Sequence, residues 1–173
     1  MYFAVSGFNF KKALLAFKNA VPSYLTAFGT MSSTAAIPVT IKSAEKNTNN
    51  SPLAHLGIPI MANVHLVGDA FSTPILSLVT MNIFLGHMPG LNLYLLFVFY
   101  FCIAMLATSG VPGGGIIVVI PLLKSIFGFT PEMIGVIMAL YLLQDSFGTA
   151  SNVMGDGALT IFVHKMLKKF GMV

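Results

Sequence analysis

Apolar residues run along this chain in long stretches, and each stretch is interrupted by a short cluster of small, polar or proline residues. Residues 56–85 show the pattern most plainly. A helix crosses a bilayer in about 20 residues, and this run is long enough. Its middle nevertheless reads Ala62-Asn63-Val64-His65-Leu66-Val67-Gly68-Asp69. Ionisable groups at that depth cost at least ~2.5 kcal/mol each, so they face a protein-lined site rather than lipid. The pattern predicts a helix broken near its centre. Residues 133–163 form a second such run and carry Asp145, Thr149, Asn152 and Asp156. Its segment Asn152-Val153-Met154-Gly155-Asp156 repeats the order of His65-Leu66-Val67-Gly68-Asp69: polar, two apolar, glycine, aspartate. A second broken helix is expected there.

The other two stretches read as hairpins. In residues 11–46, a helix-like Ala13–Phe28 leads to the tip Gly29-Thr30-Met31-Ser32-Ser33-Thr34-Ala35-Ala36-Ile37-Pro38. The return arm, about ten residues, is too short to span, so the hairpin should enter and leave on one side with its tip buried in protein. Residues 91–123 are interrupted by Thr108-Ser109-Gly110-Val111-Pro112-Gly113-Gly114-Gly115, which cannot comfortably continue a helix. The two tips share an order, Thr34-Ala35-Ala36-Ile37-Pro38 against Thr108-Ser109-Gly110-Val111-Pro112. Asn47–Pro52 and Gly86–Gly90 are loops, and Met1–Phe10 reads as the tail of an earlier membrane helix. The chain therefore reads as hairpin, broken helix, hairpin, broken helix. That is an all-α integral membrane fold built as an inverted repeat, the architecture of secondary transporters with sites where helices break.

Composition agrees. Of 173 residues, 56% are hydrophobic and 8% charged, and mean hydropathy is +0.87; a soluble domain carries roughly 25% charged residues. All nine basic residues are lysine. With both ends of the first hairpin in the cytoplasm, the lysines fall on one side except Lys124, as the positive-inside tendency requires. They are topology signals in a multi-pass cell-membrane protein, not a nucleic-acid surface. The lone Cys102 excludes an internal disulfide, and no cleavable signal peptide is expected. No nucleophile–base pair, phosphate loop or metal cluster has recognisable spacing, which argues against an enzyme and against a cofactor. His55, His87 and His164 give no metal-ligand pattern.

Ser32-Ser33-Thr34 followed by Ile37-Pro38-Val39-Thr40, the tip Thr108–Gly115, and Asp145, Thr149, Asn152, Gly155 and Asp156 at their spacing together carry a family resemblance. The chain resembles the dicarboxylate/amino acid:cation symporter family, the glutamate-transporter-like proteins, from Tyr2 onward. The resemblance implies the C-terminal part of a transport domain, with N-terminal scaffold helices absent, an elevator-type mechanism and a homotrimer in the full-length form. It assigns the substrate's α-carboxylate to Ser33 and Asn152, its α-ammonium to Asp145 and backbone contacts to Val111. Ser32 and Thr149 are further substrate candidates, although the Ser32 hydroxyl could equally serve the hairpin backbone. Asn152 and Asp156 are implied as a sodium site.

Two departures from the family pattern alter the expected cargo. Gly148 stands where acidic-substrate members place an Arg, and the chain has no Arg at all; bidentate carboxylate binding is poorly reproduced by Lys. Asp69 stands where the family has a Thr that contacts a side-chain carboxylate. Both changes favour a neutral or small polar amino acid over a dicarboxylate. Val67 replaces a cation-binding Asp and His65 an Asn, so coupling by Na+ or by H+ through His65 both stay open, as does a structural His65. A channel-like pore module and a truncated, non-transporting or accessory membrane subunit are the alternatives from other classes. The three carboxylates Asp69, Asp145 and Asp156 are expected to converge on one pocket.

Overall fold

The computed structural model describes residues 1–108 and 110–172, and Ser109 of the second expected tip lies outside the described residues. The elements are helices throughout: α1 (Tyr2–Val5), α2 (Phe10–Thr30), α3 (Ser33–Thr48), α4 (Ser51–Val64), α5 (Val67–Leu85), α6 (Leu91–Met105), α7 (Gly114–Phe127) and α8 (Pro131–Lys169). Their ends follow local chemistry. Asn9, Ser32, Asn50 and Thr130 each cap a helix by accepting a backbone N–H with a side-chain oxygen, which satisfies one of the donors every helix start leaves unpaired. At the other ends, Met31 (φ 50°) and Asn49 (φ 51°) turn left-handed to terminate α2 and α3. Glycine does the same without a Cβ penalty at Gly86 and Gly128.

The first tip is tighter than its composition predicts. Gly29–Pro38 looks irregular as sequence, yet only Met31 and Ser32 lie outside helix. The Ser32 cap restarts the chain at once, so the return arm α3 is 16 residues, not ten. Pro38 sits inside α3, where its missing N–H removes a single bond near the helix start.

A larger difference concerns the last run. It is one unbroken helix of 39 residues, whereas the matching run is split at His65 and Leu66 between α4 and α5. The same polar-apolar-apolar-Gly-Asp order therefore has two outcomes. In the first copy, the N–H of Gly68 donates to Asn152 Oδ1 of α8 at 2.6 Å, so the broken helix end has a partner waiting. In the second copy the glycines make room for neighbours. A Cβ on Gly155 would lie 2.8 Å from the His65 ring, and one on Gly157 would reach the Tyr2 hydroxyl at 2.5 Å.

The glycines of α8 thus make a sign test. Gly155→Ala is expected to destabilise the protein by about 1–3 kcal/mol, because His65 and Val67 must shift. Gly135→Ala, in the same helix with nothing within 4 Å, is expected to stabilise it by about 0.5–1 kcal/mol. Thermal unfolding in detergent reads both, and a Tm moving the same way in both variants contradicts the packing.

Helix α8 is the central post, packed against α1–α5 and α7. A large apolar core joins α5, α6, α7 and α8 through Met81, Phe97, Val119, Leu123 and Ile137. On the opposite side, Ala27, Ala36, Ala150 and Val153 let α2, α3 and α8 approach closely. Two stretches, Ser51–Leu85 and Pro131–Lys169, are long and apolar enough to cross a membrane. Large side chains such as Phe71, Ile75, Leu143 and Phe147 are exposed on them.

Candidate functional site

One face of α8 presents Asp145, Thr149, Asn152, Asp156 and Thr160, all buried. Their spacing of three and four residues keeps them in line on a 3.6-residue helix. Against this face come the two helix-pair tips and the α4–α5 break. The tips touch: Ser32 Oγ donates to the Gly110 carbonyl at 2.8 Å, and the Thr34 N–H reaches the same oxygen at 3.4 Å. Between them lies a cavity lined by Ser33, Asp69, Val111, Asp145, Thr149 and Asn152, together with Tyr141, Thr108 and the backbone of Gly110 and Gly115. Its volume is about 20 Å³, room for one water, which needs about 10–15 Å³ on that measure.

The polar groups around the cavity are largely joined to one another. Asp69, in the first turn of α5, accepts the Tyr141 hydroxyl at 2.5 Å on Oδ1 and the Asn152 amide at 2.7 Å on Oδ2. Asn152 returns its oxygen to Gly68 N, so its amide clamps the start of α5 from both sides. Asp145 accepts the Gly113 N–H at 2.8 Å and the Thr149 hydroxyl at 3.1 Å, fastening α8 to the second tip. These carboxylates are 5% and 3% exposed, and buried charges persist only when so bonded.

Each expected residue can now be placed. Ser33, Val111, Asp145, Thr149, Asn152 and Asp69 share the cavity. Ser33 forms no side-chain hydrogen bond among the described residues. The Val111 carbonyl is taken by the Gly114 N–H at 2.9 Å. Ser32 does not line the cavity; its hydroxyl caps α3 and ties the tips together.

Asp156 departs from the expected convergence. It lies beyond Asn152, outside the cavity and 1% exposed, with its Oδ1 3.0 Å from His65 Nδ1. The reason is helical: four residues past Asn152 is a full turn further along α8. Among the described residues, His65 bonds this carboxylate and not a backbone carbonyl. Sodium at Asn152 and Asp156 therefore has to compete with the Gly68 N–H and the His65 ring for the same oxygens.

Tyr141 was not singled out from the sequence. Its signal was weak, an aromatic in an apolar run, although it stands four residues before Asp145 on the same face. The crossing of Gly68 over Gly148 was also missed. A Cβ on Gly68 would overlap the Gly148 carbonyl, so α5 and α8 touch backbone to backbone.

Helix ends and buried carboxylates closing around a small cavity among apolar helices are the arrangement with which transporters build solute sites where helices break. Residues 1–166 match the sodium:dicarboxylate symporter family, and the chain belongs to it; it is a membrane protein. It is 35% identical over 153 residues to a serine/threonine transporter, SstT, of Acinetobacter baumannii, a match covering 86% of this chain and 38% of that protein. It is 32% identical over 158 residues to the SstT of Acinetobacter baylyi, covering 89% of this chain and 39% of that protein. The chain thus spans about two fifths of the length of the curated relatives it matches.

Proposed function

We propose that this chain forms the cargo-binding core of a cation-coupled symporter that carries a small neutral amino acid, with serine the first candidate. The core comprises two re-entrant hairpins, residues 11–46 and 91–123, the broken helix 56–85 and the last helix 133–163. In the full-length form, a cell-membrane homotrimer, it moves past a fixed scaffold in elevator fashion. Ser33, Val111, Asp145, Thr149, Asn152 and Asp69 hold the substrate, with Ser32 supporting the tip. The coupling ion, Na+ or H+, is assigned to Asn152, Asp156 and His65.

One observation carries this substrate class. The cavity between the tips holds two carboxylates, Asp69 and Asp145, and the sequence contains no guanidinium to balance a third. A dicarboxylate there meets like charge in a partly dry site, which costs more than one hydrogen bond returns. The family supports cation-coupled symport, and the relatives named serine/threonine transporters support a hydroxyl amino acid. A cavity closed by touching tips suits a carrier better than a continuous pore.

The test is uptake of radiolabelled serine by the full natural chain in proteoliposomes, with sodium and proton gradients imposed separately. Expected is gradient-driven accumulation that unlabelled serine inhibits at least about tenfold better than aspartate does. Equal or stronger inhibition by aspartate overturns the substrate class. Ion currents far above carrier turnover overturn the carrier itself.

A further inference from the structure

Away from the tips, a second cavity of about 210 Å³ opens at the lysine-rich end of the molecule, and Lys12, Lys46 and Lys165 all line it. These lysines come from three different helices, α2, α3 and α8. Separate segments of the chain have therefore brought three like charges to one hollow. None is in an ion pair with a carboxylate among the described residues; the nearby Glu45 of α3 is bonded to Ser51 and paired with His55. The floor is fixed by two amides. Asn19 donates to Asn47 Oδ1 at 2.8 Å, and Asn47 donates to the Ala16 carbonyl at 3.1 Å.

Three ammonium groups with no carboxylate partner among the described residues repel each other around one hollow, and an anion relieves that repulsion. We propose that this cavity is a binding site for the phosphate of an anionic phospholipid headgroup. The apolar half of the site selects a lipid over a free phosphate ion. Leu15 lines the same cavity and is 61% exposed. A free ion has no use for that surface, whereas an acyl chain lies along it while the headgroup meets the ammonium groups. Basic hollows between membrane helices are suited to such headgroups, and each lysine near an anionic membrane surface strengthens attraction by about fivefold. The lysines thus gain a role besides orienting the chain, and the site stands whatever cargo the tips bind.

The experiment uses the full natural chain purified in detergent and measures binding of phosphatidylglycerol, phosphatidylcholine and inorganic phosphate by native mass spectrometry and thermal shift. Expected is retention of phosphatidylglycerol roughly 100-fold over phosphatidylcholine, with millimolar phosphate neither stabilising the protein nor displacing the lipid. The triple variant Lys12→Gln, Lys46→Gln, Lys165→Gln should lose this preference by roughly 100-fold. A control triple, Lys42→Gln, Lys168→Gln, Lys169→Gln, removes the same charge outside the cavity and should keep it. The single variant Lys165→Gln gives a graded loss of about fivefold should the triple variant fail to fold. Equal loss in both triples means diffuse attraction and overturns the site. Binding of inorganic phosphate with the same affinity as lipid overturns the headgroup assignment, as does equal retention of the two lipids.

Discussion

Gly68→Ala is expected to leave no stable folded protein. A methyl group at this position falls on the Gly148 carbonyl, with the Gly148 carbonyl carbon at 2.9 Å and its Cα at 3.0 Å. These are backbone atoms in the middle of a helix, so no rotamer change relieves the overlap. The remaining response is to part α5 from α8, and that parting breaks the hydrogen bonds of Asn152 to Gly68 and Asp69. Overpacking alone costs about 1–3 kcal/mol and occasionally more. Loss of two buried hydrogen bonds, one to a carboxylate, adds about 2–4 kcal/mol. The total, about 3–7 kcal/mol, reaches the lower end of the entire stability of a typical domain, about 5–15 kcal/mol. Fluorescence-detected size exclusion should show aggregated or absent protein. A monodisperse Gly68→Ala protein with a Tm within a few degrees of the parent would show that the two helices do not cross there.

The second large effect concerns selectivity. A Cβ at position 148 stands at ordinary contact distance, 3.5 Å from Gln144 Oε1 and 4.0 Å from Asp69 Oδ1. An arginine therefore fits at its base, with the Asp69 carboxylate within reach of its side chain. Gly148→Arg alone is expected to pair with that carboxylate and leave acidic substrates excluded. Gly148→Arg combined with Asp69→Thr frees the guanidinium for a passenger's carboxylate. Aspartate should then inhibit serine uptake roughly 10- to 100-fold better than in the parent, the worth of a charge-assisted bond. The two single variants and the double form a cycle whose non-additivity reports the pairing of positions 69 and 148. Additive behaviour, or no gain for aspartate in the double variant, sinks the assignment of these positions to the substrate's side chain.

The helix breaks were legible because their residues have no stable place in a lipid-facing helix. His65 and Asp69 in an apolar run, and the glycine cluster after Thr108, announce themselves. The continuity of α8 was not legible. Gly148, Gly155 and Gly157 read alike whether a helix breaks at them or a neighbour packs against them, and only the positions of α5, His65 and Tyr2 decide. Internal similarity misled at the same place, because it treated Asp156 as the counterpart of Asp69. In three dimensions Asp69 meets Tyr141 while Asp156 meets His65. The short tip at Met31-Ser32 was hidden for another reason. Small and hydroxyl residues suit an irregular loop and a capped helix start equally well, and the Ser32 cap decides between them.

The continuity of α8 has an electrostatic consequence for the proposed coupling. Asp145 and Asp156 are eleven positions apart on one helix, so about 16 Å separates them along its axis. At that range two unit charges interact by only about 1 kcal/mol at an effective dielectric constant near 20. On the proposed assignment, a cation at Asp156 feels the charge state of Asp145 by about fivefold in affinity at most. The rest of the communication between ion and passenger then runs, on that assignment, through the joint between them, where Asn152 grips the start of α5, as a mechanical linkage.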